Sequence, residues 1–140
     1  LYALIFLSPL LVSLEQDPDS CDSVELFFNS PKDGFQTSEP SFKVEFGSKN
    51  IFISPAGMMV ERIDQCNVSG HHHLIIDADL PPFNMPIPAD KNHIHFGKGQ
   101  TEVELELSKG EHTMQLILGD FRHIPHDPPI YSKRIKIFID

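Results

Sequence analysis

Apolar and polar residues alternate with period two in several short segments of the chain, the pattern of strands that bury one face. Phe42, Val44 and Phe46 alternate with Ser41, Lys43 and Glu45, and Val103, Leu105 and Leu107 alternate with Glu102, Glu104 and Glu106. Met114, Leu116 and Leu118 form a further set, and Ile135, Ile137 and Ile139 lie at the end of the sequence. Val24–Phe28, Ile51–Ile53 and Leu74–Ile76 alternate less, as expected of strands covered on both faces. Turn residues separate these runs: Lys32-Asp33-Gly34 after Pro31, Gly97 and Gly99 around Lys98, and Ser108-Lys109-Gly110. The last of these predicts a hairpin joining 102–107 to 111–118. About seven short strands with no helix-period segment predict an all-β fold, a two-sheet antiparallel sandwich of immunoglobulin-like type. Residues 78–92 hold four prolines and predict one long irregular loop.

Composition fits this reading. The chain has 140 residues, enough for one domain with a real core, and eleven Phe residues help to fill it. Twelve Pro and eight Gly leave little room for long helices. The formal charge of −9 argues against nucleic acid and against anionic membrane surfaces as partners. Protonating all eight histidines would raise that charge to −1, so a pH-dependent role enters the picture.

Residues 1–14, LYALIFLSPLLVSL, are apolar apart from Ser8, Pro9 and Ser13. A membrane-spanning helix needs about 20 apolar residues, whereas this stretch has the length of a signal-peptide core. Neither an initiator Met nor a basic segment precedes it, and a true start further upstream is expected. The predicted organisation is therefore a signal-like segment over 1–14, a linker over 15–22 and a single sandwich domain over 23–140, in a secreted or periplasmic protein without a membrane span. In an oxidising compartment Cys21 and Cys66 are disulfide candidates, closing a loop of about 45 residues worth roughly 4 kcal/mol. Asn67-Val68-Ser69 is a glycosylation sequon in hosts that use such sites.

The histidines carry the candidate chemistry. All eight lie in the 56 residues from 71 to 126. In an extended strand His71 and His73 share one face while His72 points away, and His93 and His95 share a face likewise. His123 and His126 form a third pair on a proline-stiffened loop. Neutral imidazole is the commonest ligand for Cu and Zn, so His71, His73, His93, His95, His123 and His126 are the candidate metal ligands. Asp77, Asp120 and Asp127 are candidate acceptors that orient imidazoles. His112 is in phase with Met114, Leu116 and Leu118, and His72 with Leu74 and Ile76; both are read as structural.

The runs GHHHLIIDADLPP, IPADKNHIHFGKGQTE and LSKGEHTMQLILGDFRHIPHDPP resemble bacterial domain-of-unknown-function family 4399, over about residues 22–139 and most densely from Gly70 to Pro129. The resemblance implies a small exported or lipoprotein-attached domain with no assigned activity. Its pattern takes in the histidines at 71–73, 93, 95, 112, 123 and 126 but does not require Cys66.

Competing chemistries find less support. A blue-copper site needs two His, a Cys and a weak axial Met, and no Met follows Cys66 at short spacing, the next being Met85. A three-His Zn site with an open position would be hydrolytic in principle. No HExxH, Gly-x-Ser-x-Gly or phosphate loop accompanies it, so an enzyme ranks third. Asp77, Asp79 and Asp90 could offer oxygen ligands to Ca²⁺, though a solvated strand end is the preferred reading. The main alternative to a metal-binding domain is a structural or interaction module, its histidines hydrogen-bonded to one another and its apolar N-terminus donated to a neighbour's sheet.

Overall fold

The computed structural model describes residues 23–60 and 68–140. The signal-like segment 1–14, the linker 15–22, both cysteines and Asn67 of the sequon lie outside the described residues.

Nine strands make up the described chain: β1 (Glu25–Ser30), β2 (Phe35–Thr37), β3 (Ser41–Lys49), β4 (Ile51–Ile53), β5 (Val68–Ile76), β6 (His93–His95), β7 (Glu102–Glu106), β8 (Gly110–Gly119) and β9 (Ile135–Ile139). They form two sheets, one of three strands in the order β1-β3-β7 and one of six in the order β2-β9-β8-β5-β4, with β6 also paired to β5. No helix is found among the described residues that is long and apolar enough to cross a membrane. The protein is an all-β sandwich.

The alternating runs are the strands that face the core. Phe42, Val44 and Phe46 of β3 and Leu105 of β7 meet Leu74 and Ile76 of β5, Met114, Leu116 and Leu118 of β8, and Ile137 and Ile139 of β9. Burial of these side chains is worth about 1.5–3 kcal/mol each and is the main force holding the sheets together. Glu102, Glu104 and Glu106 remain exposed on the opposite face of β7.

Three features depart from the sequence reading. Two pairings, β2 with β9 and β4 with β5, are parallel. β2 was not predicted as a strand, its Phe35-Gln36-Thr37 offering a single apolar side chain after the turn at Gly34. The expected hairpin of 102–107 with 111–118 does not form: β7 pairs with β3, whereas β8 pairs with β5 and β9. The turn instead carries the chain from one sheet to the other. Both strands must put their apolar faces into one core, and lying on opposite sides of it achieves this as well as lying side by side. Gly110, at φ 120°, makes the corner in a conformation that L side chains rarely adopt.

β5 is covered on both faces. Its outward side is capped by the proline-rich loop after β5, where Ile87 packs on Ile75 and Ile117, and by the segment that follows β8, where His123 lies against His71 and His73. The histidines collect under this second layer.

Candidate metal centre

Three consecutive histidines on one strand must divide between its faces. His72 turns into the core, its ring centroid 5.0 Å from that of Phe46. His71 and His73 turn outward, yet both are shut off from solvent at 0% and 1% exposure. β6 lies antiparallel to β5 with His95 opposite His73, which brings a third imidazole to the same place. The fourth comes from His123, in the loop that follows β8. Ring centroids are 4.9 Å apart for His71 and His95, 5.1 Å for His71 and His123, and 4.6 Å for His95 and His123. These three residues each offer a ring nitrogen, and the nitrogens all lie within 4.8 Å of one another. His73 adjoins them, with Nε2 3.0 Å from His71 Nε2.

Two glycines clear the space. A Cβ at Gly119 would stand 2.8 Å from His73 Nε2 and 3.4 Å from His123 Cα. A Cβ at Gly97 would stand 2.3 Å from His95 Cε1 and 2.7 Å from its Nε2. His123 itself sits at φ 67°, unusual for a side chain of this size. A tight turn holds it there. Asp120 Oδ1 accepts from the N–H groups of Arg122 and Ile124, the Asp120 carbonyl accepts from His123 N–H, and the His123 carbonyl accepts from Ile87 N–H. Strained backbone at such a position is paid for by the surrounding bonds and is common at functional sites.

The electrostatics favour neutral rings. Burial, then the neighbouring His95 and His123, push the His71 pKa down to about 4. Burial, then His71, His95 and His123, push His73 down to about 2. His95 is lowered by burial and by His123. Metal ligation by imidazole requires the unprotonated form, which His71, His73 and His95 therefore hold at neutral pH. His71 Nδ1, His73 Nδ1 and His95 Nε2 are buried without a hydrogen-bond partner among the described residues. Each such nitrogen costs about 1–3 kcal/mol unless something meets it.

The remaining candidates lie apart. His93 turns to Asp90, Nδ1 to Oδ1 at 2.8 Å, and pairs with Ile75 rather than with the cluster. His126 donates from Nε2 to the Ser69 carbonyl at 2.8 Å. Asp77 holds His112, Nδ1 to Oδ2 at 2.6 Å, and accepts Thr113 N–H. Asp120 shapes the His123 turn, and its charge acts on His71, but it bonds to no imidazole among the described residues. Asp127 bonds to none either; the His–Asp pairs there are His93 with Asp90 and His112 with Asp77. The carboxylates considered for Ca²⁺ diverge, Asp77 to His112, Asp79 to Arg134 and Asp90 to His93. His112 and His72 are buried, as their phase in the strands predicts. The residues that sequence reasoning missed are Gly97 and Gly119. Their signal was a glycine two residues beyond His95 and another ending a strand of large side chains.

Fold and cluster together define a small all-β sandwich domain with a buried imidazole cage on the outer face of its larger sheet. Residues 44–140 match the family model described as "Domain of unknown function (DUF4399)", and the chain belongs to that family. The match starts within β3, later than the resemblance from about residue 22, and takes in every histidine. No curated protein and no solved structure matches the chain.

Proposed function

We propose that this domain captures a transition-metal ion, Cu or Zn, through His71, His95 and His123, and that it acts outside the cytoplasm. The observation that carries the reading is the approach of three ring nitrogens to within 4.8 Å of one another from three separate parts of the chain. Such convergence orders three side chains at an entropic cost that ordinary packing seldom repays in a polar cluster. Metal–nitrogen bonds of about 2.0–2.1 Å would draw the same nitrogens around one ion. The apolar segment 1–14 supports export, to a secreted or periplasmic location.

The alternative, a non-enzymatic module whose histidines form a hydrogen-bonded network, fits the cluster less well. A network would pair most of its nitrogens, whereas beside the one His71 Nε2–His73 Nε2 contact, His71 Nδ1, His73 Nδ1 and His95 Nε2 have no partner among the described residues. Metal analysis of purified protein after exposure to Cu or Zn tests the proposal. The expected result is one ion per chain, retained from about pH 8 to 5 and released only on further acidification, since burial holds the His71 pKa down at about 4. Occupancy below roughly one tenth of an ion per chain at saturation would remove the proposal.

A further inference from the structure

The three-residue centre leaves His73 without a task, although it is buried and touches His71 directly. Resting on the metal-binding reading above, we infer that His73 supplies a fourth nitrogen, closing an all-imidazole tetrahedral site that selects a d¹⁰ ion, Cu(I) or Zn(II), over Cu(II).

The six distances among the four ring centroids carry this. They are 4.9 Å for His71–His73, 4.9 Å for His71–His95, 5.1 Å for His71–His123, 4.9 Å for His73–His95, 4.6 Å for His95–His123 and 6.1 Å for His73–His123. With metal–nitrogen bonds of about 2.0–2.1 Å and a ring centre about 1.1 Å beyond each nitrogen, a tetrahedral site places every pair of centroids about 5.2 Å apart. A square-planar site places four pairs at about 4.5 Å and both diagonals at about 6.4 Å, the arrangement that suits Cu(II). Here five distances fall between 4.6 and 5.1 Å, and only one is long. His71–His95, the second diagonal of a square, is 4.9 Å. The array is a tetrahedron stretched along one edge.

The His71–His73 contact agrees. Two imidazole nitrogens on one tetrahedral ion stand about 3.3 Å apart, given bonds of about 2.0 Å. Their Nε2 atoms are 3.0 Å apart, joined by one shared proton. For both Nε2 lone pairs to face a cation, the proton between them moves to the Nδ1 of the ring that carries it, which keeps both rings neutral, and the separation need then grow by only a few tenths of an ångström. All four donors are imidazole nitrogens, and Asp120 is the one carboxylate that acts on His71. Both d¹⁰ ions accept such nitrogen donors without a preferred planar geometry.

Affinity alone would not separate a ligand from an orienting partner, because loss of an orienting partner also weakens metal binding about 10–100-fold. Coordination number does. X-ray absorption on the wild-type protein loaded with Zn(II), and separately with Cu(I) under reducing conditions, is expected to report four imidazoles around the ion. The Co(II)-loaded protein is expected to give the strong visible bands of tetrahedral cobalt, and His73→Gln to lose them. Three imidazoles with a solvent or other light ligand, in both loaded forms, would overturn the inference while leaving the three-histidine reading intact. Failure of every ion to bind would overturn both. The Zn(II) and Cu(I) samples distinguish the two ions, since only the one retained against a competing chelator is the preferred occupant.

Discussion

His71 on β5 lies directly opposite Gly119 on β8, and the missing side chain there is what lets the His123 loop close over the outward imidazoles. Any other residue at 119 would project a Cβ to 2.8 Å from His73 Nε2, closer than atoms in a packed interior approach. The ring could yield only by moving into other buried groups. Gly119→Ala is therefore expected to destabilise the metal-free protein by about 1–3 kcal/mol, the usual range for overpacking. It should also weaken metal binding. Urea unfolding and a chelator competition on the same variant check the two effects. No change in either would mean that the space around His73 is slack.

His73 apart, the cluster divides the other five candidate histidines into two groups with opposite expected outcomes. His71→Ala, His95→Ala and His123→Asn should each abolish stoichiometric binding of Zn or Cu. Asn is chosen at 123 because it tolerates the left-handed backbone at φ 67°, so the ligand is lost while the turn is kept. His93→Ala and His126→Ala should bind metal as wild type does. His126→Ala should cost about 1 kcal/mol of stability for the lost bond to the Ser69 carbonyl. Isothermal titration of the five variants separates the groups, and binding lost with His93 or His126 would move the site elsewhere.

Much of this was legible in the chain, for reasons that differ by element. Phe42, Val44 and Phe46 declared a strand because one face of β3 is solvated, and the apolar side had to alternate. His71 and His73 could be placed on one face by the same parity. Parity cannot say which strands are neighbours, so the turn at 108–110 read as a hairpin although it joins two sheets. Nor can it choose within a pair. His95 and His93 share a face, but only His95 stands opposite His73, because β6 is three residues long and its register is set by pairing with β5. His126 is drawn off by a backbone carbonyl that lies 57 residues away in sequence. Such choices depend on tertiary contacts and leave no local trace.

His112 provides a second, independent titration. Both of its ring nitrogens face acceptors, Nδ1 the Asp77 carboxylate at 2.6 Å and Nε2 the Ser108 carbonyl at 2.7 Å. Only the imidazolium can donate twice. Burial opposes the charged form, but the bonds to Asp77 and Ser108 outweigh it, and the pKa is raised above 6.5. A folded-state value above the unfolded one gives stability that is fully present below pH 6.5 and is lost as pH rises through the raised value. Asp77→Asn keeps the acceptor for Thr113 N–H and removes the charge. It is expected to lower the His112 pKa, measured by NMR titration, and to cost about 1 kcal/mol near pH 6 because Asp77 is partly exposed. The difference from wild type should shrink toward pH 9. A variant that loses as much stability at pH 9 as at pH 6 would rule out the charged pair.

His72 works in the opposite sense. It is fully buried against Phe46, and neither ring nitrogen has a partner among the described residues. Burial pushes its pKa from 6.5 down to about 4. Between those values the unfolded chain binds the proton and the folded one does not, so stability falls as the pH drops from 6.5 toward 4. The shift corresponds to roughly 3 kcal/mol at most. His71 and His73 act in the same direction, so the wild-type protein should be markedly acid-labile. His72→Leu has a similar volume, keeps the contact with Phe46 and replaces two unpaired polar atoms with apolar ones. It is expected to stabilise the protein by about 1–3 kcal/mol at pH 7 and to flatten, without abolishing, the loss between pH 6.5 and 4. Denaturant midpoints measured at intervals across that range test both parts. If the variant were weaker at neutral pH and kept the full acid slope, His72 would be held by a bond to its surroundings, for which the Gln100 backbone is the nearest source.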